Sequence, residues 1–296
     1  MTSVRETGAR PATPDWQLLR YRVAAWTTTV LVYGLLVAGS VIFAAPLFWM
    51  LSTSLKPPAL GVQVPIVWIP QEIDLSNFVI PWGLLPFSAF FRNTAFLALV
   101  NVTGLVLSSS LVAFGFARIP FRGRDMIFLL LLATMMLPDQ VTLIPVYLFW
   151  AGRGLVDTYW PLIVPQWLST GVNVFLLRQF YMTISTELDD AARIDGAGWF
   201  TIYLRIVAPL SKAALGVVAL QAFAWNWNNF MDPLIYINTT AKYTVSIGLR
   251  LFQTVEFDNV TQVMAMTILA LIPVLIVFWV AQARFVQGIV ISGVKG

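Results

Sequence analysis

Long stretches of this chain carry no charge at all. Neither Asp, Glu, Lys nor Arg occurs between Arg22 and Lys56, Arg92 and Arg118, Asp157 and Arg178, Lys212 and Asp232, or Asp258 and Arg284. Between Asp125 and Arg153 the one charge is Asp139. Each gap meets or approaches the ~20 apolar residues that cross a hydrocarbon core as a helix. Backbone groups in lipid must be paired within the segment, so a helix suits runs of this length, whereas a β-barrel needs short alternating segments. The spacing predicts an all-α integral membrane protein with six transmembrane helices, at roughly 23–50, 89–117, 126–150, 159–182, 212–236 and 261–283.

Composition supports that solvent. Charged residues make up 11 % of the chain and hydrophobic ones 58 %, where a soluble domain carries about 25 % charge. Several of the 12 Trp lie near the ends of apolar runs, as interfacial belts require. With the N-terminus inside, 13 of the 18 Lys and Arg fall on the cytoplasmic side and five outside, at Lys56, Arg92, Arg153, Lys242 and Arg250. That positive-inside bias places both termini in the cytoplasm and accounts for the +4 net charge without nucleic acid. There is no Cys and no His. Disulfides and thiolate chemistry are thereby excluded, and the commonest general base and transition-metal ligand are missing.

The predicted transmembrane domain covers 23–283, between a cytoplasmic N-terminal tail, 1–22, and a C-terminal tail, 284–296. The first apolar run far exceeds the core of a signal peptide and reads as a retained span. Residues 51–88 contain six prolines and read as irregular, proline-braced structure on the outer surface.

One inside loop, 183–211, differs from the other connections. Leu188, Ala191, Ala192 and Asp195 follow helical spacing, so Glu187–Asp195 predicts a short helix with one small-residue face. Thr186 and Asp189 have the spacing of a capping box. Gly196 can adopt the left-handed conformation that stops a helix, and a second helix can run from near Gly198 to Pro209. A helix-Gly-helix hairpin of this kind is a docking element by shape.

Asp190-Ala191-Ala192, then Gly196, then Ile206 and Pro209 resemble the coupling-loop signature of ABC importer permeases, with Asp190 in place of the usual Glu and Ala208 in place of Leu. Further resemblance runs along the chain: Ser54-Leu55-Lys56, Phe114-Gly115-Phe116-Ala117-Arg118, Leu176-Leu177-Arg178-Gln179-Phe180, Trp227-Asn228-Asn229-Phe230 with Pro233-Leu234, and the terminal Gly293-Val294-Lys295-Gly296. Together these are similar to the shorter, six-span permease of maltose-type carbohydrate systems. In the fifth-span motif many relatives carry an acid where this chain has Asn229.

The resemblance implies a type I importer fold in the cell (inner) membrane of a bacterium or archaeon. It implies a heterodimer with a second related permease, two copies of an ABC ATPase, and an extracytoplasmic solute-binding protein that delivers a sugar-like substrate. The loop bearing Glu187, Asp190, Ala191, Ala192, Asp195, Gly196, Ile206 and Pro209 would then couple the chain to its ATPase. Such a subunit is not catalytic and binds no cofactor; ATP and Mg belong to the ATPase. This chain indeed lacks a Gly-x-x-x-x-Gly-Lys-Ser/Thr phosphate loop.

Two constellations are candidates for the substrate pathway. Asp139 and Gln140 lie within a span between Pro138 and Pro145, and an ionisable residue at such depth is costly unless it is used. Trp225, Asn228, Asn229 and Asp232 combine an indole face with amides that both donate and accept, a set suited to a sugar. The competing reading of these Asn residues is hydrogen bonding between helices. Gly104, Ser108, Ser109, Ala113 and Ala117 read as packing positions. An ion-coupled secondary transporter of a small polar solute is the alternative function, and it predicts repeats and several buried acids. A membrane enzyme is a third, disfavoured by the missing His and Cys.

Overall fold

The computed structural model describes residues 15–61, 67–255 and 259–292, except the side chains of 15–25, 59, 139, 255 and 283–292. Among these residues every regular element is helical. The chain forms two units, 1–52 and 53–296. The first consists of helix α1 (Asp15–Ser54), whose last two residues belong to the second. Its described apolar side chains are exposed almost throughout, Phe43 by 84 % and Leu35 by 73 %, as a helix solvated by lipid would be.

The second unit is built on α2 (Phe87–Arg118). It continues through α3 (Arg124–Thr134), α4 (Asp139–Ala151), α5 (Trp160–Trp167), α6 (Gly171–Met182) and α7 (Glu187–Ile194). After these come α8 (Trp199–Leu210), α9 (Lys212–Asn228), α10 (Met231–Tyr236), α11 (Val245–Val255) and α12 (Val260–Ser292). Helix α2 packs against α5, α6 and α9, and α9 packs against α12.

The sequence of α2 explains its central place. Its buried positions, among them Asn93, Leu97, Asn101, Gly104 and Ser109, recur every three to five residues and are mostly small or polar. Lipid tails supply no hydrophobic drive between helices, so close approach and interhelical hydrogen bonds must hold them. A Cβ on Gly104 would lie 2.3 Å from the Trp167 indole of α5, so that contact requires glycine. Asn93 donates to the carbonyls of Ala241 and Tyr243, at 2.8 and 3.0 Å. The Val245 amide donates to Thr94 Oγ1 at 2.8 Å.

Three expected spans are not single helices. The 126–150 span breaks between α3 and α4, where Pro138 has no N–H to offer and restricts the residue before it. The 159–182 span breaks between α5 and α6 at Ser169, which takes φ +65°. The 212–236 span breaks at Asn229, in extended conformation at φ −64°, ψ 120°, four residues before Pro233, which cannot donate back to it. Among the described residues, three helices are individually long and apolar enough to cross a membrane: Trp26–Ser54, Phe87–Arg118 and Val260–Gln282. Helical structure also enters the two segments expected as tails. Helix α1 already begins at Asp15, an acid at the positive end of the helix dipole followed by good helix formers. Helix α12 continues to Ser292; residues 1–14 and 293–296 lie outside the described set.

Between α1 and α2 the chain is organised by a buried amide. Asn77 donates to the carbonyls of Ser54 and Lys56, at 3.0 and 2.8 Å, and accepts from Thr261 Oγ1 at 3.1 Å. A second clasp joins the α4–α5 connection to the α10–α11 connection. There Asp157, at φ +60°, accepts from the amides of Asn238 and Thr239, both 2.9 Å. It also accepts from Thr239 Oγ1 at 2.6 Å and from Lys242 Nζ at 2.9 Å. These donors hold its carboxyl well below the usual carboxylate range, led by the Thr239 hydroxyl.

Candidate functional site

The 183–211 segment folds as a hairpin of α7 and α8. Gly196 takes φ +82°. The Ala197 amide donates to Ala192 O at 2.9 Å and the Gly196 amide to Arg193 O at 3.0 Å, the paired bonds of a Schellman stop. Arg193 lies over the Trp199 ring, 4.9 Å from its centroid, across the turn. Helix α8 widens into a π turn at Tyr203–Val207, just before Pro209, which has no N–H to continue an ordinary α-helical ladder. Helices α8 and α9 meet at 79°.

The capping box does not form. Thr186 makes no side-chain cap, and its carbonyl receives the amides of Asp189 and Asp190, both at 3.0 Å. The Asp189 carboxylate is instead drawn inward to Arg118 at the end of α2, with Nη1 to Oδ2 at 3.1 Å. Their side chains are 3 % and 7 % exposed, Arg118 first. The other terminal nitrogen of Arg118 donates to Tyr181 O at 2.8 Å and Ile184 O at 2.7 Å. Burial pushes the Asp189 carboxyl up, and the Arg118 charge opposes that shift. Earlier on α2, Ser110 Oγ lies 2.7 Å from the hydroxyls of both Tyr181 and Tyr203.

The expected small-residue face of α7 is divided. Ala192 turns inward against the core cluster of Ala113, Phe114, Val174, Leu177 and Val207. Glu187, Asp190, Ala191 and Asp195 are exposed. Ile194 is 87 % exposed and, on α8, Phe200 is 66 % exposed. Ile206 packs inward and Pro209 is exposed. Between the arms lies a hollow of ≈ 530 Å³ whose lining includes Ala192, Asp195, Gly196, Thr201, Arg205 and Ile206. A rigid hairpin with free acids and free apolar groups can seat in a cleft of another protein.

The α9 constellation is also divided. Trp225, Asn228 and Asp232 are exposed, and Gln221, one turn before Trp225, is exposed with them. Asn229 donates to Asp232 Oδ2 at 2.8 Å across the helix break. Asn226 and Trp227 face the other way. Asn101 donates to Asn226 Oδ1 at 2.6 Å and to Leu162 O at 3.0 Å, and Trp227 Nε1 donates to Ala270 O at 2.9 Å. Hydrogen bonding between helices thus claims Asn226, while Trp225, Asn228 and Asp232 stay exposed, Asn228 donating to Ala224 O of its own helix at 2.8 Å. Gln140 is exposed near the start of α4; Asp139 begins that helix, and its side chain lies outside the described set.

Sequence reasoning missed Asp189, Arg118, Ser110, Tyr181 and Tyr203 as a connected set. A usable signal was Arg118 itself, a cation closing an apolar span, since such a charge needs a partner within reach.

The helical core and the hairpin together define a membrane permease subunit. Residues 101–291 match the family described as the binding-protein-dependent transport system inner membrane component, and the chain belongs to it. Members are multi-pass subunits of ABC importers that work with a solute-binding protein and a separate ATPase, so the ion-coupled alternative falls. The chain is 33 % identical to the arabinooligosaccharides transport system permease protein AraQ of Bacillus subtilis, over 87 % of this chain and 92 % of that one. It is 30 % identical to the sn-glycerol-3-phosphate transport system permease protein UgpE of Brucella abortus, over 86 % and 94 %. A crystal structure of a bacterial ABC transporter that imports the acidic polysaccharide alginate shares the fold, with a TM-score of 0.77 at 24 % identity, covering 88 % of this chain and 98 % of that one.

Proposed function

We propose that this chain forms half of the translocation pathway for a sugar or sugar derivative, paired with a second related permease on two copies of an ABC ATPase. It crosses the membrane six times, through α1, α2, α3 with α4, α5 with α6, α9 with α10, and α12. The charge-free intervals of the sequence support that count. Both termini and the 183–211 hairpin face the cytoplasm, in keeping with the Lys and Arg distribution. The solute-binding protein docks on the opposite side. The chain holds no nucleotide or metal of its own, consistent with its lack of a phosphate-loop motif.

The observation that carries this reading is the free outer face of the hairpin. Asp190, Ala191, Ile194 and Phe200 point away from a core to which the rest of the hairpin is bound. They form the contact with the ATPase, and Gly196 fixes the angle between the two arms. Along the pathway, Trp225 and Asn228 at the end of α9 and Asp232 at the start of α10 are exposed on either side of the helix break, a set that would be costly against lipid and is suited to a sugar's hydroxyls and apolar faces. The names of the relatives support a carbohydrate or glycerol phosphate class.

The test is co-purification of the whole importer with Ile194→Asp and, separately, Asn228→Ala. Ile194→Asp is expected to release the ATPase while the permease pair stays together. Asn228→Ala is expected to keep all subunits and lower sugar uptake. Normal ATPase retention and normal uptake in both would overturn the reading.

A further inference from the structure

A helix of eight residues has little stability of its own in water, so something other than propensity fixes α7. At its N-terminus Thr186 makes no side-chain cap, and the Glu187 amide reaches Ser185 Oγ at a long 3.3 Å. Its inward contacts are those of Asp189 and Ala192. Asp189 makes an ion pair with Arg118, and that guanidinium also holds the last turn of α6 through Tyr181 O and the following turn through Ile184 O. Three successive pieces of the chain therefore meet on one side chain from the end of α2.

Stability alone does not explain such a site. Removing two charges from water costs several kcal/mol per ion, and apolar replacements of a buried pair are often neutral or stabilising. What the pair supplies that leucines would not is direction. The planar fork of arginine can address two carbonyls and a carboxylate at fixed angles, whereas lysine concentrates its donors at one point. A second buried polar tie lies earlier on α2, where Ser110 meets Tyr181 of α6 and Tyr203 of the α8 π turn. Both arms of the hairpin are thus bound to α2 and α6 by buried polar contacts: α7 through Asp189, α8 through Tyr203.

We infer that Arg118 is the positioning residue of coupling, joined by Asp189, and that the hairpin, α2 and α6 move as one body. The inference rests on the proposal that the hairpin docks the ATPase, and adds how a push on its outer face reaches the spans. Packed side chains, salt-bridge and hydrogen-bond networks and rigid helices can carry coupling energy between distant sites. Without the Arg118 tie, α7 can tilt on the core under load, and closure of the ATPases is absorbed at the hairpin.

Two measurements test this. In the first, Arg118→Lys and Asp189→Asn importers are reconstituted with binding protein and substrate. The ATPase is expected to co-purify as with the unaltered chain, because the outer face is untouched, while substrate-stimulated hydrolysis falls at least about fivefold, within the usual range of coupling factors. Full stimulation in both variants overturns the inference. The second uses the absence of native Cys to place spin labels at Leu111→Cys on α2 and Leu188→Cys on α7, both exposed positions. One narrow distance distribution, unchanged between nucleotide-free and ATP-bound complexes, supports a single rigid body. A shift or broadening on ATP binding overturns it, and this readout decides the matter if the lock variants fail to insert. The docking proposal fails separately: if Ile194→Asp keeps its ATPase, docking is wrong, whereas release by Ile194→Asp with full stimulation in the lock variants removes only the role of Arg118.

Discussion

Gly196 can be varied so that conformation and space are separated. Its φ of +82° lies in the left-handed region, and a Cβ built there meets no atom within 4 Å. A substitution therefore meets no neighbour, and its whole local cost is the backbone penalty. For an L residue in that region the penalty is about 1–2 kcal/mol, lower for Asn, whose short side chain can hydrogen-bond locally, and higher for a β-branched residue. Since about 1.4 kcal/mol is tenfold in an equilibrium, Gly196→Ala should lower the fraction of correctly closed hairpins roughly five- to thirtyfold wherever closure is marginal. Gly196→Asn should lose less and Gly196→Val more. The assay is substrate-stimulated ATP hydrolysis by the reconstituted importer, with insertion of the permease checked in the same preparation. The expected order of activity is Gly, Asn, Ala, Val. Equal losses for Asn and Val would show that bulk against the ATPase matters rather than φ. Unaltered stimulation by the Val variant would refute the reasoning outright.

Three further outcomes are expected. Gly248→Ala puts a Cβ 2.2 Å from the fully buried Phe90 ring, so it should cost roughly 1–3 kcal/mol, seen as a lower thermal midpoint in detergent and partly relieved by Phe90→Leu. Gly104→Ala meets Trp167 at 2.3 Å, but that indole is 45 % exposed and can swing away, so the same assay should show a smaller loss. The Asp157 clasp makes the α4–α5 and α10–α11 connections acid-sensitive: its folded carboxyl titrates below its ordinary 3.8, so its stabilisation is present above that value and is lost as pH falls below it. Asp157→Asn should lower stability at neutral pH and flatten the acid side of a midpoint-against-pH curve, and an unchanged curve would count against the clasp.

The membrane architecture was legible because charge is excluded from lipid whatever the fold in detail; the intervals ending at Arg118 and beginning after Arg92 coincide with α2. The helix breaks were harder to read. Pro138 announced one of them, but Ser169 enters the left-handed region without being glycine, and no local pattern reports that. The hairpin was legible through Gly196, whose left-handed turn is a local need. Asp189 was misread because helix-cap spacing is a local rule, and it yielded to Arg118, 71 positions away. Ala192 was likewise assigned to the outer face because spacing defines a helical stripe without saying which side meets the core. Among the amides of α9, spacing separated Trp225 and Asn228 from Asn226 and Trp227, and burial then showed which pair is exposed.

The most direct test places one reactive group on the outer face of the hairpin. The native chain has no Cys, so Ile194→Cys, at a position 87 % exposed, can carry a short photo-crosslinker in membranes holding the whole importer. The expected result is a covalent adduct with the ATPase subunit and no labelling by an impermeant thiol reagent applied to intact cells. Labelling from outside, or crosslinking that never captures the ATPase, would contradict the assignment of this hairpin as the coupling element of an importer permease.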